Sequence, residues 1–246
     1  MNQPLSAIAV FIGILLAIMA WRRIYLYAVL RRLRFGYPGS ERISPEQIPA
    51  ETRMVLDEAA MPLSGFGFEA VGYRAGVPTV RRSDGGLLYS TCYLHRESGT
   101  FATIFPAENP EPGAIASLSF ETWFAEGHVA VTVNRRSHTL LPMPANFRLD
   151  DGYFGSVAEQ WELHRQRLAG MTGERVADYD EMTKRNAALA HEMLRTWQAD
   201  GVMQTAGADL LQLTPRGALR HMARLLRGSK RVARLPPLAT AASKEA

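Results

Sequence analysis

Residues 5–21 read LSAIAVFIGILLAIMAW and carry no charge over 17 positions. A helix needs about 20 apolar residues to cross a bilayer, with a lower limit near 17, so this stretch is at the short end of the range. It can be extended. Arg22 and Arg23 are followed by IYLYAVL, and long arginine side chains can reach the head groups while the helix continues. Trp21, Tyr25 and Tyr27 gather at this boundary, where amphipathic aromatic rings settle at a membrane surface. The apolar character runs all round the helix, unlike the one-sided stripe of a helix on a soluble core. Residues 1–35 are therefore expected to form a transmembrane anchor and a juxtamembrane helix. A cleaved signal peptide is the competing reading. It calls for a basic leader and small residues at the cleavage site, whereas this chain opens MNQP and has Ile18 two residues before Ala20.

The charges set an orientation. Arg22, Arg23, Arg31, Arg32 and Arg34 follow the span and no basic residue precedes it. Positive residues are retained in the cytoplasm. The expected location is a cell membrane, crossed once, with the N-terminus outside and the rest of the chain cytoplasmic.

The formal net charge of +4 conceals an asymmetry. Residues 216–234 hold six Arg and one Lys with no acid, while the stretch 35–215 has 15 basic and 23 acidic residues. A nucleic-acid binder with evenly spread basicity does not look like this. Two basic ends around an acidic body suit a protein lying on anionic lipid. In LTPRGALRHMARLLRGSKRVARL, Arg216, Arg220, Arg224, Arg227 and Arg231 recur every three or four residues, which makes one stripe on a helix. Together with the five arginines after the span, they are the expected lipid head-group contacts. Packing of this helix on the acidic body or an acidic partner is the alternative.

Cys92 is the one cysteine, so no intrachain disulfide and no thiolate metal cluster is possible. It is read as a small buried residue. The six histidines (95, 128, 138, 164, 191, 221) show no metal-binding spacing. No phosphate loop, GxSxG elbow or HExxH is present. The acidic pairs Asp57-Glu58 and Asp150-Asp151 and the trio Asp178, Asp180, Glu181 are read as helix caps and turn residues. These patterns name no catalytic residue, and no metal or cofactor is expected.

The expected fold class is α+β. Residues 36–43, with Gly36, Pro38 and Gly39, read as a linker, and 44–214 as a cytoplasmic domain. Ser44-Pro45 with Gln47 has capping-box spacing, and a helix is expected over 50–61, stopped by Pro62. From residue 66 the hydrophobic period becomes two. Strands are expected over 66–73, 87–95, 100–105, 115–124 and 128–134, joined by short glycine-containing links at 95–99 and 125–127. That gives an antiparallel sheet of about five strands, covered by helices over 156–168 and 178–199. A last helix starts at Thr214-Pro215, within a basic amphipathic helix and disordered tail over 215–246.

One local phrase, ADGVMQTAGADLLQLTPRGALR, resembles the hairpin-then-helix end of winged-helix domains. The resemblance covers about twenty residues and implies DNA contact. It is not accompanied by a helix-turn-helix, since 178–199 reads as one helix.

Three functions are compatible with these features. The first is a membrane-anchored interaction or accessory domain whose partners are lipid and another protein, not nucleic acid. The second is a membrane-bound enzyme with a pocket in the sheet domain. The third is a membrane-tethered winged-helix-like DNA binder.

Overall fold

The computed structural model describes residues 3–81, 85–106, 116–134, 143–152 and 154–231, with backbone alone at 3–9, 224 and 226–231. His138 and the tail beyond 231 lie outside the described residues.

Helix α1 (Gln3–Arg32) runs through the apolar stretch and the arginines without a break. Its segment Val10–Arg32 is long and apolar enough to cross a membrane. Phe11, Ile14, Leu16, Ile18 and Ile24 are all more than half exposed, which an aqueous surface does not tolerate in one contiguous patch. The chain then enters the domain at once. Phe35 bridges two segments, exchanging backbone hydrogen bonds with Leu211 at 2.8 and 2.7 Å and pairing with Val80. Gly36 N–H donates to Thr79 O and Arg81 N–H to Arg34 O.

The main sheet has seven strands in sequence order: β1 (Gly39–Ile43), β2 (Glu69–Val77), β3 (Leu88–His95), β4 (Thr100–Pro106), β5 (Ala116–Trp123), β6 (Val129–Val133) and β7 (Phe147–Asp151). All neighbours are antiparallel except β6 and β7, which run parallel. The class is α+β as expected, with seven strands in a mixed sheet instead of five in an antiparallel one. Both missed strands lie at the edges. β1 falls in the stretch read as a linker, and it pairs with β2 along its whole length. β7 reads FRLDD, too short an alternation to stand out by itself, and an edge strand needs only one paired side.

Helix α2 (Ala50–Ser64) continues past Pro62. Leu63 is fully buried, and its carbonyl accepts from Phe66 and Phe68 N–H, so packing holds the last turn although proline supplies no donor. β2 begins after Gly67, whose φ of +80° makes the turn out of α2.

The strands alternate between two covered faces. Ala102, Ile104, Leu118 and Phe120 meet α2 and Trp161 of α3 (Val157–Leu168). Cys92, Leu94, Phe101, Trp123 and Val131 meet Tyr179, Met182 and Leu189 of α4 (Tyr179–Ala199). Ser156 and Asp178 cap these helices, accepting from Glu159 N–H and Glu181 N–H.

A hairpin of β8 (Met203–Thr205) and β9 (Leu211–Leu213) leads into α5 (Pro215–Arg231). This is the hairpin-then-helix end that the local resemblance implied. Thr214 Oγ1 accepts from Gly217 N–H at 2.9 Å and donates to Gly201 O at 2.8 Å. A Cβ at Gly217 would lie 2.0 Å from Val202 O, so only glycine lets α5 press on the hairpin. Leu30, Phe35, Trp197, Leu211, Leu213 and Ala218 form a third core. It joins the end of α1 to the C-terminal elements. The α4 segment is one unbroken helix, so the hairpin follows a single long helix.

Candidate functional site: a cavity between the sheet and helix α4

α4 presents small side chains, Ala187 and Ala190, where the sheet also presents small ones, Ser90, Cys92 and Thr103. On the same face Phe101, Trp123 and Met182 belong to one packed cluster. The twisted sheet and the straight helix therefore leave a cavity of about 260 Å³.

Two charged residues reach into it. Arg74 on β2 donates to Thr183 Oγ1 at 2.9 Å and to Ser40 Oγ, with its guanidinium 6.0 Å from the Tyr179 ring centroid. Glu121 on β5 accepts from Ser119 Oγ at 2.8 Å. Burial pushes the Glu121 carboxyl up, against the opposing pull of Ser119, Trp123, Thr103 and Arg74. The Trp123 indole N–H approaches the carboxylate without completing a hydrogen bond. Burial also pushes the Cys92 thiol up, to about 12. Cys92 is thus a thiol that packs and not a thiolate nucleophile.

The opposite face holds a polar chain. Ser98 Oγ contacts His95 Nδ1 at 2.8 Å and donates to Thr100 Oγ1 at 2.9 Å. Thr100 meets Thr122 at 2.8 Å, Thr122 meets His164 Nε2 at 3.0 Å, and His164 Nδ1 meets Thr132 at 2.9 Å. His164 is fully buried, and burial, with Arg175 adding, lowers its pKa to about 3.

The arginines singled out in the sequence fall into three groups. Arg22, Arg23 and Arg32 on α1, and Arg216 and Arg220 on α5, are exposed. Arg31 donates to Leu213 O, and Arg34 makes long contacts of 3.3 to 3.4 Å with the last carbonyls around α1. The backbones of Arg224, Arg227 and Arg231 lie on α5. The structure does not bring the two arginine sets into the cavity. Among the acids, Asp178 caps α4 and Asp150 pairs with Arg167 at 3.1 Å. Among the described residues, no cluster of His, Cys, Asp or Glu could hold a metal ion.

Sequence reading missed Arg74, Glu121 and His164. The available signal was Glu121 itself. It lies between Ser119 and Trp123 on the side of β5 opposite Leu118 and Phe120, and Trp123 shows that this side is also covered. The chain matches no protein family, no curated protein and no solved structure.

Proposed function

We propose that the protein is a single-pass membrane protein whose α+β domain is a non-enzymatic interaction module at the cytoplasmic face, with another protein as its partner. The observation that carries this reading is the junction. α1 passes unbroken from an exposed apolar surface into the third core, and residues 34–36 are hydrogen-bonded between β9 and the 79–81 segment. An anchor on a slack tether only keeps a domain nearby. A helix built into the core also fixes which face of the domain meets the membrane.

The arginines after the span favour the cytoplasmic side. α5 packs with Leu26, Tyr27 and Leu30 near the end of α1, and this nearness supports a second, lipid-facing contact through exposed Arg216 and Arg220. The test is protease protection of the full chain in sealed inverted membrane vesicles, followed by co-purification after mild detergent extraction. The reading expects a domain cleaved in inverted vesicles and a reproducible co-purifying protein. A protected domain overturns the orientation, and no reproducible companion overturns the accessory role. The cavity beside Glu121 favours a second reading, a membrane-bound enzyme acting on a small molecule.

A further inference from the structure

Arg74 and Glu121 line one cavity from β2 and β5, with β3 and β4 between them. Among the described residues, no ion pair joins them or ties either to another charge. Each is held by neutral hydroxyls: Arg74 by Thr183 and Ser40, Glu121 by Ser119. Both residues are half-buried, and opposite charges set apart along one cavity present a complementary outline to a ligand. On the same face of the sheet the Trp123 indole N–H is turned toward the Glu121 carboxylate, and Tyr179 Oη is buried without a hydrogen-bond partner. Their side chains are 4 % and 8 % exposed. Buried orphan polar groups are rare enough in native structures to call for an explanation. The cavity lining also includes the apolar side chains of Phe105 and Ala187 and the Cys92 thiol.

We propose that this cavity binds a small zwitterion of the amino-acid class, with its ammonium received by the Glu121 carboxylate, its carboxylate by the Arg74 guanidinium, and a short aliphatic body between them. A volume of about 260 Å³ is below the range of about 300 to 1,000 Å³ usual for drug-sized ligands, which restricts the occupant to a few heavy atoms. A singly charged molecule leaves one end of the enclosure unmatched. The assignment goes beyond the anchored-module reading and stands whether or not the domain also holds a protein partner.

The test is isothermal titration of the full detergent-solubilised chain with a graded series of ω-amino acids, from glycine to 6-aminohexanoate. Alkylamines and alkyl carboxylates of matching length serve as controls. Saturable one-to-one binding is expected, with an optimum length and a preference of at least about tenfold over either singly charged analogue, since each charge-assisted hydrogen bond contributes about a decade or more. Glu121→Gln should remove the preference over the carboxylate, and Arg74→Gln the preference over the amine. Ala187→Leu, which fills the cavity from α4 and touches neither charge, should abolish binding. No saturable binding, or equal affinity for zwitterion and singly charged analogues, overturns the proposal. Dependence on only one of the two charged residues overturns the zwitterion assignment. The wild-type comparison needs no variant, so a variant that fails to fold leaves the test intact.

Discussion

His164 makes the domain sensitive to acid in a way that can be calculated. Its imidazole is fully buried between Thr122 and Thr132, at 3.0 and 2.9 Å, and is held neutral with a pKa lowered to about 3. A neutral ring has one donor and one acceptor, and two threonine hydroxyls satisfy both. In the unfolded chain the same ring titrates near 6.5. Between these two values the unfolded state binds a proton that the folded state refuses. Stability therefore rises with pH through this window and is flat above it. Each unit below about 6.5 removes about 1.4 kcal/mol, so acidification to about pH 5 removes roughly 2 kcal/mol. Glu121 acts in the opposite direction. Its carboxyl pKa is raised in the folded state, so its contribution is fully present at low pH and is lost as pH rises, because the unfolded carboxyl then releases a proton that the folded one keeps. A bare pH titration of stability would sum the two.

His164→Gln separates them. Glutamine cannot protonate, and it can serve both threonines only imperfectly, so the variant should be about 1 to 3 kcal/mol less stable near pH 7.5. Glu121 lies on the other face of the sheet and is hydrogen-bonded to Ser119, whereas His164 is hydrogen-bonded to Thr122 and Thr132, so its contribution is common to both proteins and cancels in the difference. The assay is equilibrium urea unfolding of the full chain in mild detergent. Trp161 fluorescence reports the site, because its ring stacks on His164 at 6.0 Å. The gap between wild type and variant should narrow by roughly 2 kcal/mol between about pH 7.5 and about pH 5. A gap that stays constant refutes the claim that the folded state keeps His164 neutral.

Other perturbations give equally direct readings. Glu121→Gln should be more stable than wild type at neutral pH, with an advantage that grows as pH rises above about 4.3 and levels off at the folded-state pKa, as measured by urea midpoints. Gly217→Ala places a methyl group 2.0 Å from Val202 O. A loss of about 2 kcal/mol or more is expected, with rapid hydrogen exchange in β8, β9 and α5. Phe35→Ala removes a ring only 5 % exposed at the junction, which should cost about 3 to 5 kcal/mol and open the segment around residue 35 to protease. Replacing Arg216 and Arg220 with Glu should weaken hydrogen-exchange protection of α5 in anionic nanodiscs and leave it unchanged in zwitterionic ones, if lipid is what those residues meet.

The fold was most legible where a local chemical signal sets an element's end. Ser156 and Asp178 announce α3 and α4 because a cap depends on residues three apart. Gly99 and Gly127, at φ of +60° and +89°, announce two hairpins because the turn conformation disfavours other residues. Edge strands carry no such mark. β1 exists because β2 offers a free edge, and β7 because β6 does. The cavity was invisible for a related reason. Cys92, Thr103 and Glu121 are separated in sequence and become neighbours only through the register that sets Cys92 opposite Thr103, Thr103 opposite Ser119, and Glu121 opposite Phe101.

The Thr214-Pro215-Arg216-Gly217 phrase connects these observations to α1. Read alone, it suggests a winged-helix end. Its physical content is narrower. Thr214 supplies the cap, Pro215 the first helical residue, and Gly217 the missing Cβ that lets α5 sit on the Val202 carbonyl. Any fold that packs a helix tightly behind a hairpin needs those three properties, whether or not it meets DNA. Here α5 sits beside the end of α1 in the third core, and Arg31 of α1 donates to Leu213 O, one residue before the cap. The phrase thus helps to lock α1 onto the domain. Cutting the chain after residue 34 would remove Leu30 and Arg31 and leave Leu213, Ala218 and Trp197 without their cover. A domain that keeps α1 from Leu26 onward is therefore expected to unfold cooperatively. One that starts at residue 35 should lose protection in β9 and α5 first, and the same protection at those two elements in both chains would contradict the lock.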